Sequence, residues 1–196
     1  MKKIVVTFLT ALLLICCGGS ESFSLETEND ALVIVGKGLM WYYADDSNSA
    51  NIRLNQMSFA DAEKFCQNLD YAGFSDWRLP TIDELRKVVI GYSDVESGGR
   101  CAVSSKCLQK TCVIKGQKNG NDTPCSNSSN EVMQGPGING CYFDDVWGNY
   151  CGKYWSSSLV SAAEGLAFQL DFSVPAIIPS NTTAASNGFA RCVRKL

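Results

Sequence analysis

Ten cysteines and no histidine occur in 196 residues. This sulfur distribution limits the possible folds more than any other feature. Cys16 and Cys17 sit together near the start. The other eight are Cys66, Cys101, Cys107, Cys112, Cys125, Cys141, Cys151 and Cys192, and six of these fall between 101 and 151. That segment is rich in Gly, Asn and Ser and poor in apolar periodicity, so it builds little core of its own. An even count of cysteines in an exported chain fits a disulfide framework. Each bridge would restrict the unfolded chain, for a typical gain of about 2 to 4 kcal/mol. A metal site is the weaker reading, because no C-x-x-C pair occurs and no imidazole is available. The lack of histidine also excludes a Ser-His-Asp triad and a Cys-His pair. Carboxylates could still do acid–base work, but neither spacing nor an apolar setting marks out a catalytic pair.

Export is read from the first residues, "MKKIVVTFLTALLLICCGGS". Lys2 and Lys3 form a positive start, and Ile4 to Ile15 form an apolar run. The run is short for a permanent membrane helix and suits a signal peptide. It ends in Cys16-Cys17-Gly18-Gly19-Ser20, which resembles the lipobox of bacterial lipoproteins. Cleavage is expected after Cys16, because cutting one residue earlier would put bulky Ile15 at the last place. Residues 1–16 are then the signal peptide, Cys17 is the lipidated residue and 17–30 is a tether. Acyl chains would bury many methylenes at about 0.8 kcal/mol each, enough for stable anchoring. Losing Lys2 and Lys3 leaves fifteen basic residues against twenty acidic ones, a net charge of −5. No basic block favours nucleic acid or anionic headgroups.

Beyond the tether the chain reads as mixed α and β. "ALVIVGKGLMWYY" (31–43) reads as a hairpin turning at Gly36-Lys37-Gly38. "MSFADAEKFCQNLDYAG" reads as a helix capped by Ser58, with Phe59, Ala62, Phe65, Cys66 and Leu69 on one face. In "FSDWRLPTIDELRKVV", Pro80 holds Leu79 extended. Thr81 and Glu84 then make a capping box for a second helix. Trp77 and Leu79 should bury while Arg78 reaches a carboxylate or backbone carbonyls. Residues from about 93 to 153 form the cysteine-rich insertion. "KYWSSSLV" reads as a strand. "GLAFQLDFSV" alternates, with Leu166, Phe168, Leu170 and Phe172 on one face and Ala167, Gln169, Asp171 and Ser173 on the other. "PAIIPSNTTAASNG" reads as a loop, and "FARCVRKL" as a closing strand.

"GLMW", "A-x-x-F-C-x-x-L", "G-F-S-D-W-R-L-P-T-I-D-E-L", "YWSSS" and "RCVR" occur in that order. Together, over roughly 31 to 196, they resemble the bacterial Lcl C-terminal domain family. The resemblance implies an α+β, C-type-lectin-like fold with two helices flanking small antiparallel sheets. It also implies a bridge from the first helix to the last strand, at Cys66 and Cys192. The other six cysteines would pair among themselves, with fifteen pairings open.

The expected function is a binding or adhesion module in the cell envelope, anchored to a bacterial membrane by lipid and taking a glycan or protein ligand. Loops on a stable scaffold commonly carry recognition. Tyr142, Phe143, Trp147, Tyr150, Tyr154 and Trp155 cluster with Asp144, Asp145 and Asn149. The candidate ligand residues are Asp144, Asp145, Trp147, Asn149 and Tyr150. Calcium is not expected: the sugar-binding tripeptides "EPN", "QPD" and "WND" of C-type lectins are absent. No cofactor is expected. The alternatives are a relative of the formylglycine-generating oxidases, which share the lectin-like fold and use reactive cysteines, and a structural envelope protein.

Overall fold

The structure is a computed structural model that describes residues 22–44, 56–114, 124–125, 134–183 and 187–196. The expected signal peptide (residues 1–16), the expected lipidation residue Cys17 and the expected tether up to residue 21 lie outside the described residues.

The chain builds a mixed α+β architecture of two small antiparallel sheets with few helices. The first sheet begins with β1 (Ser24–Glu28), β2 (Ala31–Gly36) and β3 (Leu39–Tyr42). Two-residue turns join them. Both central residues of each turn have positive φ: Asn29 and Asp30 in the first, Lys37 and Gly38 in the second. That geometry matches the right-handed twist of the flanking strands, which is why Asn, Asp and Gly stand there. The expected hairpin is therefore present, but the expected tether runs too far, because Ser24–Glu28 is strand. This strand was hidden because it lies at a sheet edge, and four of its five residues are exposed. A solvated edge strand carries no run of apolar residues to betray it.

α1 (Phe59–Gln67) starts as anticipated, with the Ser58 hydroxyl accepting from the Asp61 backbone amide at 3.2 Å. Phe59, Ala62 and Cys66 are buried on its inner face. α2 (Ile82–Arg86) carries the full capping box: the Glu84 amide donates to the Thr81 hydroxyl at 3.2 Å, and the Thr81 amide donates to the Glu84 carboxylate at 2.8 Å. Ahead of it Trp77 and Leu79 are buried. Arg78 turns out to grip Glu84 with two hydrogen bonds of 2.8 and 2.7 Å. So the order Trp-Arg-Leu-Pro-Thr drives an extended segment through the core and aims its one charge back at the helix it precedes. Buried Arg86 ties the following loop down by donating to the carbonyls of Val95, Val103 and Glu96.

α3 (Lys110–Ile114) lies within the insertion. The second sheet is β4 (Lys153–Ser161), β5 (Leu166–Asp171) and β6 (Ala176–Asn181), in the order β4-β5-β6. β6 corrects the reading of residues 175–188 as a loop. Pro179 sits in an edge strand, opposite Phe168, where a missing amide need not break the sheet. On β5 both faces are buried, not one. The polar face is satisfied internally: Ser180 donates to Gln169 at 2.7 Å, and Gln169 donates to the Asn187 side chain at 3.1 Å. Asp171 accepts from the Ser173 hydroxyl at 2.6 Å. Buried polar groups persist only when paired in this way.

β7 (Val193–Lys195) closes the chain beside β3, giving the order β1-β2-β3-β7. The first and last strands thus share one sheet. Its last edge is extended by a bridge between Arg78 and Val193. Cys66 on α1 joins Cys192 beside β7, with both buried and their Cα atoms 5.3 Å apart. The remaining bridges are Cys101–Cys125, Cys107–Cys112 and Cys141–Cys151. The anticipated helix-to-strand link is present, and the insertion cysteines pair among themselves. The insertion is not merely peripheral, since Val95, Val103, Phe143 and Trp147 join the main core.

Candidate functional site

The anticipated ligand residues all lie on one loop, residues 134–152, which is fixed from several sides. Cys141–Cys151 closes it. Tyr142 anchors its start, donating its amide to Phe172 at 2.9 Å while its carbonyl accepts from the Ile90 amide at 3.0 Å. At the far end the Phe172 amide donates to Gly152 at 2.8 Å. The Gly135 amide bonds Gly140 at 2.8 Å and the Gly137 amide bonds Cys141 at 3.0 Å, folding the first limb back on itself.

A 3-10 turn, Asp145–Trp147, forms the tip. Asp144 caps this turn, its carboxylate accepting from the Val146 amide at 3.0 Å. Asp145 accepts from the Ile138 amide at 2.8 Å and so ties the two limbs together. Both aspartates are exposed, as is Asn149. Their outward carboxylate and amide groups are available to a polar or cationic partner.

Trp147 does not belong to that surface. It is only 2% exposed and packs edge-on against Trp41 at 5.1 Å and Phe23 at 5.0 Å. An indole is mostly hydrocarbon, and the tight turn at Gly148 directs it inward, so core packing wins over display. Tyr150 is half-buried, its ring 5.9 Å from Phe189 and its carbonyl accepting from the Tyr154 hydroxyl at 2.6 Å. Tyr142, Phe143, Tyr154 and Trp155 are core residues too. The aromatic cluster seen in sequence is therefore chiefly the floor beneath the loop. Among the described residues, no group of three or more Cys, Asp or Glu side chains could hold a metal ion.

Below the loop lies a residue that the sequence reading passed over. Arg191 is 2% exposed. Its Nη2 donates to the Trp147 carbonyl at 3.0 Å, and its guanidinium carbon lies 5.1 Å from the Trp147 ring and 5.7 Å from that of Tyr154. Cation–aromatic contacts of this kind favour arginine when desolvated. Arg191 lies just before β7 in a run, Ala190 to Val193, that is buried throughout, so strand alternation gave no signal for it. Burial pushes the nearby Tyr42 phenol well above its usual range; the Tyr71 phenol adds to this and the Arg191 charge opposes it.

No curated protein and no solved structure matches this chain. One family model does, that of the Lcl C-terminal domain, over residues 35–194. That span runs from β2 through α1, α2, α3 and the bridged loop to β7, so the chain belongs to the Lcl C-terminal domain family.

Proposed function

We propose that this chain is an exported, lipid-anchored envelope protein. Its domain is C-type-lectin-like and binds a partner through the Cys141–Cys151 loop. The carrying observation is the division of that loop into a buried underside and an outward acidic tip. Trp147 and the disulfide hold it, while Asp144, Asp145 and Asn149 face solvent. A pre-organised polar tip loses little entropy on binding. The lectin-like reading is supported by first and last strands sharing one sheet and by the Cys66–Cys192 link.

Two features narrow the ligand. Sugar stacking needs exposed aromatic faces, yet most of the local rings are core. A protein partner presenting basic or amide groups therefore fits better than a glycan. The second feature is reach. Phe23 packs on Trp147, and the six residue steps from Cys17 to Phe23 extend at most about 20 Å. With Cys17 acylated, the loop stays close to the bilayer, so its partner belongs to the same envelope layer. All eight cysteines from Cys66 to Cys192 are paired. That leaves no thiolate there for oxidase chemistry and supports binding as the better reading.

The test is site-specific photo-crosslinking from position 149 in intact cells, comparing the parent with an Asp144→Asn, Asp145→Asn variant. A discrete adduct that disappears in an equally stable variant is the expected result. Identical adducts in both, or none in either, would overturn the assignment. Mass analysis of the mature amino terminus tests the acyl group on Cys17 separately.

A further inference from the structure

The outer edge of β1 has no strand beside it among the described residues. The strand holds no proline, lysine or bulge, and its register with β2 runs unbroken from Ser24–Val35 to Glu28–Ala31. An edge of this kind is a template for a further strand. The two-residue turn at Asn29-Asp30 makes Glu28–Ala31 a hydrogen-bonded pair. Alternation from there turns the amides and carbonyls of Leu25 and Thr27 away from β2.

One apolar row crosses the sheet and stops at this edge. Val193, Trp41 and Ile34 stand opposite one another on β7, β3 and β2, and none is exposed. Leu25 is the next residue in the row and is 43% exposed. Leu32, opposite Thr27 on the same face, is exposed as well.

The occupant that fits is a second copy. A two-fold axis perpendicular to the sheet pairs β1 with itself antiparallel and leaves each face on its own side. Successive residues point to opposite faces, so even-numbered residues pair with even and odd with odd. Centring the axis on Glu26 sets that carboxylate against its own copy. Centring it on Thr27 sets Glu26 against Glu28. Like charges directly opposite destabilise a strand pair. Centring it on Leu25 avoids both clashes: Leu25 meets Leu25, Ser24 meets Glu26, Phe23 meets Thr27 and Ser22 meets Glu28. Ser24 already donates to the Glu26 carboxylate at 2.7 Å within one strand, so the two side chains are compatible across the axis. The outward backbone groups of Leu25 and Thr27 then lie in the hydrogen-bonded pairs of the new ladder.

We propose that two copies of this chain associate through antiparallel β1 edges with Leu25 on the two-fold axis, joining two four-stranded sheets into one. The apolar row then runs without a break from Val193 of one copy to Val193 of the other. A single strand pair is a small interface, so the association is weak when dilute. It is independent of what the Cys141–Cys151 loop binds. Anchoring of Cys17, as proposed above, would favour it by raising the effective concentration of the two copies.

The test is sedimentation equilibrium of the exported protein, disulfides intact, at concentrations up to about 1 mM. The parent should approach twice the monomer mass. Leu25 is exposed, so Leu25→Lys and Leu25→Glu should fold as the parent does, which circular dichroism checks. Each sets like charges on the axis and removes an apolar pair, and should weaken association more than about tenfold. An equimolar mixture of the two should regain the dimer, because opposite charges then meet at residue 25. Thr27→Pro removes an outward amide without touching the ladder to β2 and should also leave monomer. A parent that is monomeric throughout, a dimer as strong in any of the three variants as in the parent, or charged variants that fail to recombine on mixing would overturn the proposal.

Discussion

Breaking the Cys66–Cys192 bridge should cost more than breaking any other, and far more than breaking the shortest, because of the length of chain it closes. The two cysteines are 126 positions apart. In the chain-entropy model, loop closure of that length is worth about 5 kcal/mol at 25 °C. The Cys107–Cys112 bridge closes a separation of only 5, worth about 2 kcal/mol on the same scale. Both Cys66 and Cys192 are buried, so the comparison also includes packing around the sulfurs. The paired variants Cys66→Ala, Cys192→Ala and Cys107→Ala, Cys112→Ala should therefore differ by about 3 kcal/mol. For a domain of this length each kcal/mol moves Tm by roughly 2 to 4 °C. The first variant should melt about 10 to 20 °C below the parent. Urea unfolding by circular dichroism, under non-reducing conditions, measures both. Equal losses from the two variants would refute the argument, because the long-range link would then supply no more than a local staple.

A second prediction concerns acid. Burial would raise the Glu84 carboxyl, but hydrogen bonds from Arg78 and the Thr81 backbone outweigh it and hold that carboxyl below its ordinary range. A group depressed in the folded state stabilises fully above its unfolded pKa and loses that stabilisation as pH falls through the folded value. The parent should therefore lose stability on acidification from the ordinary carboxylate range downward. Glu84→Gln should be less stable at neutral pH and show a flatter acid limb in urea titrations at stepped pH; parallel limbs would contradict this. A third concerns Gly188, where an added Cβ would lie 2.4 Å from the Gln169 amide nitrogen and 2.9 Å from Trp155 Nε1. Gly188→Ala should cost about 1 to 3 kcal/mol by overpacking, read as a lower urea midpoint at unchanged slope. An unchanged midpoint would show that the segment simply shifts aside.

Local order was readable because local rules produced it. Ser58 and Thr81 cap their helices as the spacing indicated, since a cap needs only a hydroxyl and an amide three residues on. The turn at Lys37-Gly38 was equally plain. β6 was missed because Pro179 and Ser180 look like loop residues, and only an edge position next to β5 makes them a strand. β1 was missed for a similar reason. At the candidate site, Asp144, Asp145 and Asn149 were placed on the surface and are exposed there. Trp147 was not readable: an aromatic beside two acids looks like a ligand platform until Phe23 and Trp41 are seen to enclose it.

The sequence alone determined the sulfur inventory, the helix starts, the hairpin turn at Lys37-Gly38 and the family, because each depends on residue type at short spacing. Only the tertiary structure decided which insertion cysteines meet, that both faces of β5 are covered, and that Arg191 lies buried beneath the loop against Trp147. Those outcomes depend on contacts between segments tens of residues apart, and burial belongs to the packed assembly, not to any short stretch of chain.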